Sequence, residues 1–367
     1  MDSTKRFNVL LISPNLGDYM TNKLALCLSE NKHVAKFTLA GMSRSRNADK
    51  NGIALARFES ANFFGRILQY PAILFKIRKL LKDSDVVVSW SLDTSLLCAL
   101  AAKFTGLKGK KFVYFYSDVH YMCTKKDSLI SKILRFAECF NAKHANVVAF
   151  TSPLYKSEYF EKIAGLKIDN YVLVENKVPK TSVEKVLGTF DPKNRDFSQP
   201  TIGYFGLLCY KATYKFMVKA AKSGIKTYFR GKFSPQTTDH IDSSIEYSGP
   251  YKNPDDLPEM YSKINMLYII HDLALGTNNQ WAMSNRFYDA LMTQTPIVVQ
   301  KGTANEKFVL ENDIGISVDI YNPEESVKKL KAVKKDDLVK WHNNIARLAP
   351  HYYMLTDEYD RLFEKIM

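Results

Sequence analysis

Short apolar runs alternate with segments of helical spacing along the first half of the chain. In the strand-like runs, β-branched and aromatic residues stand together, and polar residues bound each run. These runs are 7–13, 85–90, 111–117, 146–152 and 171–178. Between them, as at 21–31, apolar residues recur at the spacing of a helix face. Such alternation predicts a parallel sheet with helices on both faces.

The pattern breaks at residues 180–200, which are polar and turn-rich, so we expect a linker there. A second alternating series follows, with strand-like runs at 201–206, 226–231, 245–249, 266–270 and 315–320. The predicted fold class is therefore α/β, with two Rossmann-like, doubly wound domains that face a central cleft. We expect these domains at 1–180 and 181–350, and ligands at the carboxyl ends of their strands. A helical tail at 351–367 is expected to pack back on the first domain.

Composition fits a soluble protein that binds anions. The chain of 367 residues is 46% hydrophobic and carries a formal charge of +14. No apolar run reaches the roughly 20 residues that a membrane-spanning helix needs, and the short run before Pro14 does not resemble a signal peptide. We therefore expect a cytoplasmic protein. The five cysteines lack the spacing of zinc ligands, which favours reduced thiols.

Two basic stretches also contain many aliphatic and aromatic residues. At 63–82 the cations include Lys76, Arg78 and Lys79, and a second stretch lies at 125–136. Both patterns are typical of helices that rest on an anionic membrane surface. A helix whose apolar side faces the protein core and whose cations are solvated explains them equally well. Nucleic acid is a less favoured partner, because no nucleic-acid-binding motif accompanies the cations.

Glycines next to cations follow two strand-like runs in the second half. Gly206 closes the run at 201–206, and Lys211 follows it. At 229–232, Gly231 stands between Arg230 and Lys232. A glycine at a strand end lets the backbone approach a ligand closely, and nearby cations favour a phosphate. The alternative is that each glycine only turns the chain.

The stretch NRFYDALMTQTPIVV at 285–299 predicts a helix that ends before a buried strand. We expect Asn285 to cap this helix and its free N–H groups to attract an anion. Arg286 has the fork geometry that binds a diphosphate, and Asp289 lies one turn further along. A carboxylate there can accept hydrogen bonds from both hydroxyls of a ribose. The stretch therefore predicts a nucleotide site.

The stretches YDALMTQTPIVV and IEYSGPYKNPDDLPEMYSKINMLYII resemble GT-B glycosyltransferases, close to family 4. The similarity extends through both halves in order, including FVYFYSDVHYM and LVENKV. The resemblance implies a donor-binding second domain, an acceptor-binding first domain and retention of anomeric configuration. Asp289 matches the family's ribose-binding Glu, but Trp281 replaces the other Glu of its motif. Leu207 stands where the family has a phosphate-binding Arg.

Candidate acceptor residues follow strands of the first half. Asp118 and His120 come directly after a strand, and the resemblance places a catalytic residue near them. Either can orient or deprotonate an acceptor hydroxyl. The alternative is that Asp118 caps a helix and His120 packs. Asn15 and Gly17 follow the first strand, where the family has an acceptor loop, and Asp93 follows another strand.

We expect neither a metal nor a cofactor other than the donor substrate. The Asp-Ser-Asp at 83–85 matches a metal motif of a different glycosyltransferase fold, but its place before a strand favours a turn. Cations would then stabilise the leaving diphosphate.

The sequence thus predicts a glycosyltransferase that uses a nucleoside-diphosphate-sugar donor. Its expected acceptor is a lipid-linked molecule or a glycan in surface polysaccharide synthesis, at the inner face of the plasma membrane. The alternatives are a nucleotide-sugar epimerase of similar architecture, a nucleic-acid-binding protein and an inactive homologue.

Overall fold

The computed structural model describes residues 5–43, 52–58, 63–104, 109–124 and 128–367, with side chains omitted at 63–66, 103–104 and 121. The chain divides into two compact units. Unit 1 comprises Met1–Glu175 and Asp357–Met367, and unit 2 comprises Asn176–Thr356. Residues 125–127, at the start of the second basic stretch, lie outside the described residues. No described helix is both long and apolar enough to cross a membrane.

Unit 1 is built on a parallel sheet whose described strands follow the order β3-β2-β1-β4-β5-β6-β7. The strands are β1 Phe7–Ser13, β2 Val34–Ser43, β3 Ile53–Arg57, β4 Val86–Trp90, β5 Lys111–Tyr116, β6 Val147–Phe150 and β7 Tyr171–Leu173. β4 and β6 are buried along their whole length, as continuous apolar runs in a sheet covered on both faces should be. The order places β1, β4 and β5 side by side, so the loops after them share one edge.

The helices of unit 1 connect these strands. They are α1 Tyr19–Ser29, α2 Phe63–Leu81, α3 Leu92–Phe104, α4 Tyr121–Thr124 and α5 Leu129–His144, and a π-helix spans Tyr155–Ile163. α3 packs against both α2 and α5, so these three helices form one layer with α3 in the middle.

Unit 2 has a second parallel sheet, with the described strands in the order β10-β9-β8-β11-β12-β13. They are β8 Thr201–Leu208, β9 Lys226–Phe233, β10 Glu246–Tyr247, β11 Met266–Ile269, β12 Ile297–Gln300 and β13 Gly315–Val318. Its helices are α6 Lys180–Leu187, α7 Lys211–Lys222, α8 Leu257–Ser262, α9 Asn278–Trp281, α10 Asn285–Met292, α11 Ala304–Glu311, α12 Pro323–Lys331 and α13 Lys335–Ala346. Two doubly wound parallel sheets confirm the predicted α/β class and the two Rossmann-like domains.

The predicted linker at 180–200 is wrong. Its first part is α6, whose Val183 and Val186 are buried in the core of unit 2. Farther along, the guanidinium of Arg195 is buried and donates to the carbonyl oxygens of Tyr261 and Thr293, each at 2.9 Å. The two valines stand three apart among polar residues, so their helical face is too short to be recognised from composition.

The predicted helical tail at 351–367 is only partly helical. A short 3-10 turn at Pro350–Tyr352 precedes an extended segment, and only Glu358–Glu364 forms a helix, α14. α14 belongs to unit 1, where its Phe363 ring stacks on Phe7 with centroids 6.0 Å apart. An ion pair of 2.7 Å between Asp360 and Lys32, in the turn before β2, adds a second contact between α14 and the rest of unit 1.

Candidate functional site

Two glycines bring the backbones of β8 and β9 together in unit 2. Gly206 pairs with Gly231, and their φ angles of +115° and +149° suit glycine alone among common residues. A Cβ on Gly231 would lie 1.8 Å from the carbonyl oxygen of Gly206. By contrast, a Cβ on Gly206 would meet only the Tyr251 hydroxyl, at 4.0 Å. Gly206 lies inside β8 rather than at its end, which corrects the prediction, and its open side leaves room for a ligand.

Arg286 is held at the start of α10, close to the end of β8. Its guanidinium carbon lies 4.3 Å from the centre of the Tyr204 ring, within the range of a cation–π contact. The Tyr204 hydroxyl donates to the Leu207 carbonyl oxygen at 3.1 Å, which fixes the ring. The Nη1 atom of Arg286 is buried and has no hydrogen-bond partner in the described structure. Buried donors are normally satisfied, so this atom indicates a missing acceptor.

Asn285 is not the cap of α10. The capping position is Ser284, and Asn285 is the first residue of the helix. The Ser284 hydroxyl makes no capping bond, and its oxygen is buried without a partner in the described structure. The amino end of α10 thus holds a buried hydroxyl without a partner in the described structure, at a place where a helix attracts anions.

His271 is a candidate that the sequence reasoning missed. It follows the apolar strand β11 almost directly, and its side chain is buried. Burial and the nearby charge of Arg286 lower the pKa of His271 to about 3, so the imidazole is neutral at pH 7. Its Nε2 has no hydrogen-bond partner in the described residues. Its place after a buried strand, like that of His120, was the available signal.

Asp289 lies deeper than its predicted role suggests. Its side chain is only 4% exposed. Burial raises the pKa of Tyr251 to about 12, and the negative charge of Asp289 contributes to this rise. The carboxylate of Asp289 therefore lies close to Tyr251, the tyrosine whose hydroxyl faces Gly206. Its ribose-binding role stays a prediction.

Arg230, which we expected to bind a phosphate, is paired with two carboxylates in the structure. Its guanidinium lies 3.0 Å from Glu259 and 3.4 Å from Asp256, and it donates to the Pro250 carbonyl oxygen at 3.2 Å. Two carboxylates therefore already neutralise its charge. The sequence did not reveal these partners, because Asp256 and Glu259 belong to the α8 segment, which lies far away in sequence, and the phosphate-binding role of Arg230 stays a prediction. Lys211, at the start of α7, and Lys232, on β9, are exposed.

Hydrogen bonds tie together the loops at this edge of unit 2. The Tyr210 hydroxyl, before α7, donates to Oδ1 of Asn279 at 3.1 Å. The Asn279 amide donates to the Asp272 carbonyl oxygen at 2.8 Å, and the Tyr321 hydroxyl donates to the Asp272 carboxylate at 2.6 Å. Trp281 ends α9 in this loop region. The loops after β8, β11 and β13 are thus held in fixed positions around α10.

In unit 1, Asp118 and His120 lie in the exposed loop after β5, where the sequence placed them. Asp118 accepts a hydrogen bond of 3.3 Å from the Ser117 hydroxyl. Nδ1 of His120 accepts from the Met122 N–H at 3.3 Å, and partial burial lowers the pKa of this imidazole. His120 is therefore neutral at pH 7, and Nε2 then carries the ring proton. Their catalytic roles stay predictions.

The other acceptor candidates lie on the same edge, after β1 and β4. Oδ1 of Asn15 accepts from the Gly17 N–H at 3.2 Å, which closes a local turn. The Asp93 carboxylate accepts from the Ser91 hydroxyl at 2.7 Å and from the Thr94 N–H at 2.9 Å. These bonds give Asp93 a structural role at the start of α3, and its acceptor-binding role stays a prediction.

The Asp-Ser-Asp at 83–85 lies at the opposite edge of the unit 1 sheet. The Asp85 carboxylate accepts from the Asn8 N–H at 2.8 Å, at the amino end of β4. Among the residues that the structure describes, no group of three His, Cys, Asp or Glu side chains is arranged to hold a metal.

A buried polar cluster that the sequence did not reveal lies behind the β5–α4 loop. Glu138 of α5 is buried and accepts a hydrogen bond from the Tyr159 hydroxyl. Burial raises the pKa of Glu138 to about 7 despite the hydrogen bond from Tyr159. Tyr116 is the last residue of β5, so this cluster supports the start of the loop that carries Asp118 and His120.

Comparison with known proteins agrees with this architecture. No protein-family profile matches the chain. It is 25% identical over 327 residues to the succinoglycan biosynthesis protein ExoL of Rhizobium meliloti (strain 1021), covering 84% of this chain and 80% of the relative.

Solved structures show the same fold across both units. The crystal structure of Anabaena HepE in complex with UDP and glucose matches with a TM-score of 0.72 and 13% identity, over 98% of this chain and 99% of that chain. A putative UDP-N-acetylglucosamine 2-epimerase from Listeria monocytogenes matches with a TM-score of 0.61 and 11% identity, over 98% and 96%. The chain therefore has the GT-B fold that its sequence predicted, and it is related along most of its length to a polysaccharide-biosynthesis protein.

Proposed function

We propose that this chain is a glycosyltransferase that moves a sugar from a nucleoside-diphosphate-sugar donor to a lipid-linked or glycan acceptor during polysaccharide synthesis. One observation carries the donor assignment. The buried Nη1 of Arg286 has no acceptor in the described structure, and it lies at the amino end of α10 beside a tyrosine of β8. A diphosphate supplies the missing acceptor and the negative charge that this helix end favours.

The donor site follows from this anchor. The diphosphate lies against the open side of Gly206, between Arg286 and the exposed cations Lys211 and Lys232. The neutral His271, with its unpartnered Nε2, donates to a phosphate or sugar oxygen. As the bond to the sugar breaks, negative charge grows on the leaving diphosphate, and these preorganised donors stabilise it without a metal. Asp289 is proposed to accept the ribose hydroxyls.

The acceptor site is proposed at the edge of unit 1 that carries Asp118 and His120. The Asp118 carboxylate can accept the proton that an acceptor hydroxyl loses, and the Nε2–H of His120 can donate to that hydroxyl and orient it. Asn15 and Asp93 line the same edge and are proposed to contact the acceptor. Retention of anomeric configuration is proposed from the resemblance to family 4.

The relatives support the choice of donor and pathway. ExoL is named for succinoglycan biosynthesis, which is a polysaccharide pathway. HepE was crystallised with UDP and glucose, and also with UDP-glucose. A uridine-diphosphate sugar is therefore the first donor to test. We also propose that the protein works at the inner face of the plasma membrane, because its charge of +14 suits an anionic surface.

A thermal-shift screen tests the donor assignment. The chain is heated with UDP, GDP, CDP and ADP and with their sugars, first in chelator and then with Mg²⁺. We expect one diphosphate to stabilise the protein without metal, because ligands that bind only the folded state raise its melting temperature. Asp289→Asn should abolish most of that shift. Absence of any shift across the panel would remove the donor assignment.

Epimerisation is the second candidate, since the Listeria structure shares the fold. An epimerase converts its nucleotide sugar without an acceptor. NMR spectra of each stabilising UDP-sugar, incubated with the protein alone, distinguish the two activities. Epimerisation would convert the substrate into a different UDP-sugar, seen as a new sugar resonance without release of UDP. Transfer, by contrast, requires an acceptor and releases UDP.

A further inference from the structure

Helix α5 of unit 1 buries polar residues and exposes apolar ones, the reverse of the usual arrangement in a surface helix. Ser131, Glu138 and Asn141 are buried against the protein. On the outer side, Leu129 is 72% exposed, Ile133 57% and Phe136 72%. Surface helices of soluble proteins normally bury their apolar stripe. The exposed apolar face of α5 is therefore suited to a non-aqueous partner.

The apolar residues of α5 form one continuous stripe near the acceptor edge. Leu129, Ile133 and Phe136 follow the spacing that places residues on one helix face, and Ile130 lies beside them at 55% exposed. In a parallel α/β sheet, a connecting helix begins near the carboxyl end of the preceding strand. The stripe starts at the amino end of α5, so it lies on the side of unit 1 that carries the loop after β5.

Within α5, cations flank this stripe and no exposed acid does. α5 carries Lys132, Arg135 and Lys143, and its only acid, Glu138, is buried. Lys132 and Lys143 are exposed. Insertion of the stripe among lipid headgroups would place both ammonium groups at the level of anionic phosphates.

Helix α2 extends the same surface on the far side of α3. It buries Ile73 and Ile77, as a helix that packs on a sheet should. Leu68 and Phe75 nevertheless remain 82% and 68% exposed, and the sequence of α2 contains no Asp or Glu. The core-facing interpretation thus fits one side of α2, whereas its outer side resembles that of α5.

We propose that the outer faces of α5 and α2 form a docking surface for an anionic lipid bilayer, with the α5 stripe inserted among the headgroups. A second copy of the chain fits this surface poorly, because a two-fold contact would bring the lysines of both copies together. The inference deepens the proposed function, since a docked acceptor edge would lie beside a lipid-linked acceptor, but it does not depend on catalysis.

Vesicle flotation without nucleotide tests the surface. The full chain is mixed with vesicles of phosphatidylcholine alone or of phosphatidylcholine with phosphatidylglycerol. We expect binding only to the anionic vesicles. The double variant Ile133→Ser/Phe136→Ser should bind at least about tenfold more weakly, because the inserted apolar area is lost. Leu310→Ser, at an exposed position on α11 of unit 2, is the matched control and should bind normally.

A charge variant tests the contribution of the lysines that lie beside the apolar stripe. Lys132→Glu/Lys143→Glu should weaken binding about tenfold or more, whereas the control Lys331→Glu on α12 should have little effect. All these side chains are exposed, so the variants should fold.

Three results would overturn the proposal. They are failure of the wild-type chain to bind anionic vesicles, normal binding by the Ile133/Phe136 variant, and a wild-type dimer that this variant converts to a monomer. The thermal shift with UDP is measured on every variant. For the wild-type chain, failure to bind anionic vesicles together with a normal nucleotide shift refutes only the surface, whereas vesicle binding without a nucleotide shift refutes only the donor site.

Discussion

Replacement of Arg286 by glutamine should remove the anchor of the proposed donor site. Arg286 has a buried Nη1 without a partner in the described structure, and its guanidinium stacks on Tyr204. Glutamine keeps a polar side chain of similar width but loses the charge and the fork. The nearby His271 should then regain part of its basicity, because the charge of Arg286 helps to lower its pKa.

The expected magnitude follows from the bonds that a diphosphate would make. A hydrogen bond to a charged group contributes about 1.5–3 kcal/mol, and a bidentate guanidinium makes two. Glutamine would lose one of these two hydrogen bonds completely and the other in part. Binding of the diphosphate should then weaken by about 3 kcal/mol, which corresponds to about 100-fold in Kd.

Isothermal titration with UDP measures this change, and Arg230→Gln is the matched control. Arg230 is on β9 in the same unit, but Glu259 and Asp256 already neutralise it at 3.0 and 3.4 Å. Its replacement should change the Kd for UDP by less than about threefold. Equal losses in both variants, or unchanged affinity in Arg286→Gln, would refute the reasoning.

Three further predictions concern pH, backbone and catalysis. Burial raises the pKa of Glu138 from 4.5 to about 7, so the folded state holds this proton more tightly than the unfolded state does. The resulting contribution to stability is complete below pH 4.5 and is lost as the pH rises through 7. Hydrogen exchange of the β5 and β6 amides should show a decline of about 3 kcal/mol over this window that Glu138→Gln lacks. Gly231→Ala should lower the unfolding free energy by about 3 kcal/mol or more, because its Cβ would strike Gly206, whereas Gly224→Ala meets open space and should lose only about 1 kcal/mol in urea denaturation. Asp118→Asn should lower kcat for sugar transfer by about 100-fold while the Kd for UDP stays unchanged, and an unaltered kcat would exclude Asp118 as the base.

The candidate site could be predicted only in part. Local patterns, a glycine in a strand-like run and an arginine at a helix start, pointed to Gly206, Gly231 and Arg286, whose binding roles stay predictions. They did not reveal the carboxylate partners of Arg230, which come from the α8 segment, and they overlooked His271, whose burial is set by elements distant in sequence. Whether a polar side chain is paired, buried or available to a ligand depends on its neighbours in the fold. The spacing of residues in the sequence does not reveal those neighbours.

By itself, the sequence determined the α/β class, the two parallel sheets and the position of most loops at their carboxyl edges. It could do so because strand and helix periodicity are set by neighbouring residues. The tertiary structure decided which face of each helix is covered. In α5 the buried side is polar and the exposed side is apolar, and the same residues in the same order would equally fit a helix packed the other way. The contacts that α5 makes with β5, α3 and α4 fix that rotation, because periodicity defines the two faces of a helix but not the partner that each one meets.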